Sequence, residues 1–227
     1  MRSSTTAKLL IGVVWAGLLF YAFTAAPPDD PAPTQRLVRG TLQLSFAGIE
    51  PAVVAIWNLL GMVAFLYLSL LVPDGRHQRV WSWPFGLLMM VGGAFILVPW
   101  LLLRTEQDSA VRPFRLGMRI VRSAVYRWYL VGGVVTLTLY GVSRGSYSNF
   151  RALFWQSQIV HVMTLDLILC TLLLPYLITK LRRPQDLPAE PPWARMLPLI
   201  PLLGPALWNA LYYRPAPLPE SSAVRPE

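Results

Sequence analysis

The chain of 227 residues is 55% hydrophobic and only 14% charged, with a formal charge of +9 and a mean hydropathy of +0.47. That balance excludes a soluble domain of this size and points to an all-α fold, a polytopic transmembrane helix bundle. The basic residues lie between apolar runs, where they set topology and meet anionic headgroups, so nucleic acid is not the partner that the charge implies.

Six runs have the length of a membrane span, giving a bundle of about six helices: Leu9 to Ala26, Ala52 to Val72, Trp83 to Leu103, Trp128 to Val142, Ile159 to Thr179 and Met196 to Tyr213. The first, within residues 1–26, also has the features of a signal peptide, with Arg2 and Lys8 before the apolar stretch and Thr24, Ala25 and Ala26 after it. A retained helix is expected, because cleavage would leave the most arginine-rich loop on the wrong side. Residues 27–51 form a Pro-rich extramembrane segment, and Pro27 to Gln35 are expected to lack stable structure. Residues 52–103 carry the second and third helices, and Pro99 and Pro175 predict kinks in the third and fifth.

Residues 104–127 form an Arg-rich loop in which Arg115, Arg119 and Arg122 recur at i, i+4 and i+7. A helix there has a cationic face, with Phe114, Met118 and Val121 on an adjoining side. It reads as a docking surface for anionic lipid or an acidic partner, or as a topology determinant whose side chains snorkel to the headgroups. Residues 128–213 hold the last three helices. Pro198, Pro201 and Pro205 make the start of the sixth irregular or re-entrant. Residues 214–227 are a polar, Pro-rich tail without expected structure.

Alternating these runs puts the Arg-rich loop and the 180–195 connection on one side, which the concentration of Lys and Arg makes cytoplasmic, and both termini outside. Trp81, Trp83, Trp100, Trp128, Trp155, Trp193 and Trp208 fall near predicted ends and read as interface anchors. Gly12 with Ala16, and Gly132 with Thr136, are small pairs that permit close helix approach. The single cysteine, Cys170, can form no internal disulfide, and two histidines with one cysteine are too few for a structural zinc site.

The fifth run carries His161 and Asp166 within a core about 30 Å long, matching the hydrocarbon thickness. A carboxylate there must find a partner, lose its charge or face a wet cavity, and is a functional hypothesis by default. Alternating topology puts Tyr140, His161, Asp166 and Asn209 in one leaflet and Asn58 in the other. His161 and Asp166 are five residues apart, about 140° around the helix, with Gln158 between them in angle. Gln158, His161, Asp166, Asn209 and Tyr140 are therefore the candidate intramembrane polar site, a seam on the fifth helix that touches two neighbours. It reads either as interhelical hydrogen bonds holding the bundle or as a site for a ligand, pigment or proton. A haem would need His161 and His77 as axial ligands, and a loop histidine between arginines fits a solvated residue better. No nucleophile elbow, zinc-protease motif or phosphate-binding glycine loop appears.

Several blocks carry a resemblance: Pro51, Asn58 to Gly61, the Asp74-Gly75-Arg76 turn, Trp83 to Phe85, Gly92-Gly93 and Pro99, then Gln158 to Leu167, then Leu203 to Ala206 and Arg214-Pro215. In these the chain resembles a poorly characterised family of polytopic membrane proteins of cyanobacteria and chloroplasts. The likeness covers half to two thirds of the chain and implies a photosynthetic-lineage protein of a thylakoid or plasma membrane, with no reaction attached. The leading expectation is accordingly a non-enzymatic membrane protein that assists assembly or stability of a photosynthetic membrane complex. A small transporter or channel using Asp166 and His161, a pigment- or haem-binding subunit and a membrane enzyme are the alternatives. A passage wide enough for water that reaches Asp166 favours transport, and a dry packed seam favours scaffolding.

Overall fold

In a computed structural model the described residues are 2–28, 31–43, 45–74, 81–104, 115–181 and 190–214. Among them there is no strand. The helices are α1 (Arg2–Thr24), α2 (Pro31–Gln43), α3 (Pro51–Asp74), α4 (Ser82–Leu103), α5 (Arg115–Arg122), α6 (Ala124–Arg144), α7 (Tyr147–Gln156) and α8 (Gln158–Leu181), then a 3-10 helix (Pro192–Leu199) and α9 (Leu203–Leu211). Four of them, α1, α3, α4 and α8, are long and apolar enough to cross a membrane by length and composition.

The central helix is α3. It is apolar on nearly every face, as a helix surrounded by others must be, and Pro51 opens it at a position where the missing N–H costs nothing. Leu66, Tyr67, Leu70 and Leu71 are buried among Leu97 and Trp100 of α4, Leu130 of α6 and Leu174 of α8. Two ends of the bundle can be named after α3: the Glu50 end, where it starts, and the Asp74 end, where it stops. The helix α6 runs antiparallel to it, with the Tyr126 hydroxyl donating to the Phe65 carbonyl at 2.6 Å and Gly141 closing against Ala55. At the Glu50 end the Ser146 N–H donates to Glu50 Oε1 at 2.6 Å. The helix α8 runs parallel to α3, since Val160 and Met163 pack with Val53 and the Tyr67 hydroxyl donates to the Cys170 carbonyl at 2.7 Å.

The third run does not cross the bundle. Its backbone is non-helical at Gly93 (φ 46°, ψ −131°), and the two halves of α4 fold back on each other there. Ser82, at its start, donates its hydroxyl to the Leu71 carbonyl, and Arg104, just past its end, makes a two-pronged ion pair with Asp74 (2.9 and 3.0 Å). Both ends of α4 therefore lie at the Asp74 end. Each half, roughly eleven residues or about 16 Å long, reaches about midway through a bilayer. Lys8 of α1 donates its ammonium to the Leu102 and Arg104 carbonyls, capping the returning half. The predicted crossing with a kink at Pro99 gives way to a re-entrant hairpin turning at Gly93.

The sixth run is re-entrant as well. The 3-10 helix descends and α9 returns, so that Trp193 faces Tyr212 at 5.9 Å and Glu190 Oε1 accepts from the Trp208 indole N–H at 2.6 Å. The turn between them carries Leu202 at φ 59°, and a Cβ on Gly204 would collide with the Leu197 carbonyl. Pro198 and Pro201 remove N–H donors a regular helix would need, as the sequence suggested, whereas Pro205 sits in the first turn of α9, which needs no N–H there.

Other expectations are corrected. Within Pro27 to Gln35 the chain enters α2, because Pro31 and Pro33 occupy a first turn that needs no N–H, and Leu37 is buried against Val53 and Val160. Trp100 and Trp208 are core residues, each 1% exposed, whereas Trp81, Trp128, Trp155 and Trp193 are exposed as interface anchors would be. Gly12 does meet Leu102 of α4, but Gly132 meets nothing. His77, Phe114 and the tail beyond Arg214 lie outside the described residues.

Candidate functional site

The break in α4 is built by three residues. At φ 46° a side chain is strained, and a Cβ on Gly93 would overlap the Asp166 carboxylate, so this position requires glycine. The break frees the N–H groups that open the second half of α4. Asp166, buried in mid-α8, accepts from the Ala94 N–H with Oδ1 at 2.8 Å. It caps the start of a half-helix inside the bundle, accepting an N–H that the break leaves without an intrahelical partner.

Asp166 is not sealed in. It lines a cleft of about 460 Å³ together with Asn58, Trp57 and Thr41, three methionines (Met62, Met90, Met163) and the rings of Phe65, Phe95 and Tyr129. A second cleft of about 410 Å³ shares Phe95, Ile159 and Val162 with it and extends under α1 and α2. The polar groups on the first cleft offer mainly acceptors. The Asn58 amide N–H donates to the Val54 carbonyl (2.8 Å), which leaves its oxygen. The Thr41 hydroxyl donates to Leu37 and accepts from the Trp57 indole, both at 2.9 Å. Asp166 spends one oxygen on Ala94 and keeps a second.

The other half of the seam faces α1. Gln158 donates its amide N–H to the Ala22 carbonyl at 2.9 Å, capping the carboxyl end of α1. His161 sits 2.9 Å from the Phe154 carbonyl through Nδ1 and 2.9 Å from the Tyr21 hydroxyl through Nε2. A carbonyl only accepts, so Nδ1 donates to Phe154, and both ring nitrogens are engaged. The rings of Phe154 (4.1 Å), Trp155 and Tyr21 surround it. His161 thus ties α7, α8 and α1 together, and an iron ligand would need one of these bonds broken.

Seam geometry and expectation agree in part. Gln158 and His161 reach α1 while Asp166 reaches α4, the two-neighbour arrangement that their helical angle implied. Their expected partners are elsewhere. Asn209 donates to Ser69 Oγ near the Asp74 end, with its own Oδ1 unpartnered, and Tyr140 lies on the exposed face of α6. Asn58, excluded from the seam by alternating topology, shares the cleft with Asp166. Three causes explain this: α4 turns back, so α3 and α8 run parallel and Asn58 comes level with Asp166; the sixth run turns back, so Asn209 stays at the Asp74 end; and Tyr140, though at the Glu50 end with His161, faces outward from α6. Gly93, Ala94 and Tyr21 were missed, although a Gly-Gly pair in mid-run was a visible signal.

The cationic helix forms as the spacing predicts. In α5, Arg115, Arg119 and Arg122 are exposed, while Met118 and Val121 are buried against Leu68 and Val72 of α3. Leu116 and Ile120 are exposed beside the arginines. Among the described residues no group of three or more His, Cys, Asp or Glu side chains is arranged to hold a metal ion. No protein-family model, curated protein or solved structure matches this chain.

Proposed function

We propose that the protein is a multi-pass membrane protein that binds a small cationic or hydrogen-bond-donating solute, or a proton, at the α4 break and passes it through the bundle. The observation that carries this reading is the cleft that reaches Asp166. Non-helical backbone at membrane depth is tolerated where it lines a cavity, and half-helix ends facing a cleft recur in solute sites of transporters. The free oxygens of Asp166 and Asn58 suit a donor, and the surrounding rings suit a cation with an apolar body. Asp166→Asn tests it, because the amide keeps the oxygen that caps Ala94 and loses only the charge. In proteoliposomes, wild-type protein should carry protons or methylammonium and Asp166→Asn should lose at least about tenfold of that flux, since a direct charge–ligand contact contributes 1.5–3 kcal/mol. Wild-type flux equal to that of empty liposomes, or an undiminished Asp166→Asn, refutes the reading.

A second reading has an observation of its own: Gln158 and His161 are spent on holding α1, whose outer face (Leu9, Val13, Phe20, Phe23) is exposed and apolar. On that reading α1 docks in a larger assembly, and the family resemblance suggests a photosynthetic complex of a cyanobacterial or thylakoid membrane. Co-purification after mild solubilisation, with α1 cut away as the control, decides it. For either reading we place the Asp74 end in the cytoplasm, with α5 lying at the interface on anionic lipid.

A further inference from the structure

We propose that Arg127 and Arg214 form a site for the phosphate of an anionic phospholipid headgroup at the Asp74 end. Arg127 stands in the first turn of α6 and is only 6% exposed. Among the described residues its guanidinium makes one hydrogen bond, to a neutral acceptor, the Tyr213 carbonyl, at 2.9 Å, and its Nε has no partner. Arg214 donates to that same carbonyl at 2.9 Å, so the two guanidinium groups lie within about 6 Å of each other. Neither forms an ion pair with a described residue; the ion pair found there joins Arg104 to Asp74.

This arrangement is electrostatically incomplete. A buried charge without a partner costs several kcal/mol, a second cation beside it adds repulsion, and the first turn of a helix is the end that disfavours a cation. One anion relieves all three. A phosphate offers the oxygens that two guanidinium forks bind in parallel. Location selects the source: Arg127 follows the interfacial helix α5 directly, and the exposed Trp193 ring against Tyr212 lies at the end of α9 that leads into Arg214, as an indole at headgroup level would.

The test uses the full chain, purified and delipidated in a neutral detergent, with thermal unfolding as readout. Phosphatidylglycerol should raise the midpoint saturably, and phosphatidylcholine at the same mole fraction should raise it less. Arg214→Gln, on an exposed residue, should fold normally and need about tenfold more phosphatidylglycerol for the same shift. Arg127→Gln should lose the shift and, with no lipid present, be at least as stable as wild type, because it removes an unpaired buried charge. Equal stabilisation by millimolar inorganic phosphate overturns the lipid as source, and an unchanged lipid response in both variants overturns the site. A wild type indifferent to phosphatidylglycerol but destabilised by Glu220→Gln with Glu227→Gln would give the arginines to the chain's own tail and also overturn the proposal.

Discussion

Asp166 has two tasks whose energetics differ. As a cap it needs only an oxygen facing Ala94, and as a recognition group it needs charge. Asp166→Ala removes both and leaves a buried N–H without an acceptor, a loss of about 1–3 kcal/mol, whereas Asp166→Asn keeps the cap. Unfolding in detergent should therefore separate the two variants even if both lose flux. Gly93→Ala attacks the same junction from the other side: the positive φ alone costs about 1–3 kcal/mol, and the added methyl must displace the carboxylate. We expect it to destabilise more than Asp166→Ala, and equal stability of Gly93→Ala and wild type would mean that α4 does not turn there. The Tyr21 and His161 pair gives a gentler test. A double-mutant cycle of Tyr21→Phe and His161→Phe should return a coupling near 0.6 kcal/mol, typical of hydrogen bonds between helices in a membrane.

At the scale of elements, hydropathy finds the six long apolar runs, misses α2 and α7, and misreads the paths of two runs. The run around Ser82–Leu103 is apolar throughout, and an apolar stretch looks alike whether it crosses once or turns at mid-depth. What distinguishes the cases is Gly92-Gly93 together with a carboxylate on another helix that can cap the turn, a pairing over long sequence distance that periodicity does not register. The sixth run announced its irregularity because three prolines are local signals. The helix α5 was equally legible, since arginines at i, i+4 and i+7 define a face without tertiary help, and the two-sided seam of Gln158, His161 and Asp166 followed from helical angle alone. The leaflets assigned to Asn58 and Asn209 did not survive, because both rested on counting crossings, whereas His161 and Tyr140 remain at one end. The hairpin itself is testable by labelling. Trp81→Cys and Leu103→Cys, at exposed positions at the two ends of α4, should both react with an impermeant maleimide from one side of sealed vesicles, and labelling from opposite sides would restore a crossing helix.

For the whole molecule, two re-entrant hairpins change where the charge lies. With α1, α3, α6 and α8 running end to end and the hairpins returning to where they began, Lys8, Arg104, Arg115, Arg119, Arg122, Arg127, Lys180 and Arg214 gather at the Asp74 end. Among the described residues only Arg36, Arg39, Arg144 and Arg151 lie toward the other end. Alternation of six crossings spread these charges over both sides, whereas the folded arrangement makes the asymmetry steep. Short basic segments are retained in the cytoplasm, so the Asp74 end should face inward and carry both termini, the reverse of what six crossings imply. Fluorescent-protein and phosphatase fusions at each terminus distinguish the two: cytoplasmic fluorescence at both ends with phosphatase silent is the expected result. A phosphatase inserted after Arg144, between α6 and α7, should be active. An outward carboxyl terminus with an inward amino terminus would require an odd number of crossings, so one hairpin would have to open into a span. That hairpin would be α4, the longer of the two, and the Asp166 to Ala94 bond would then be the contact to break.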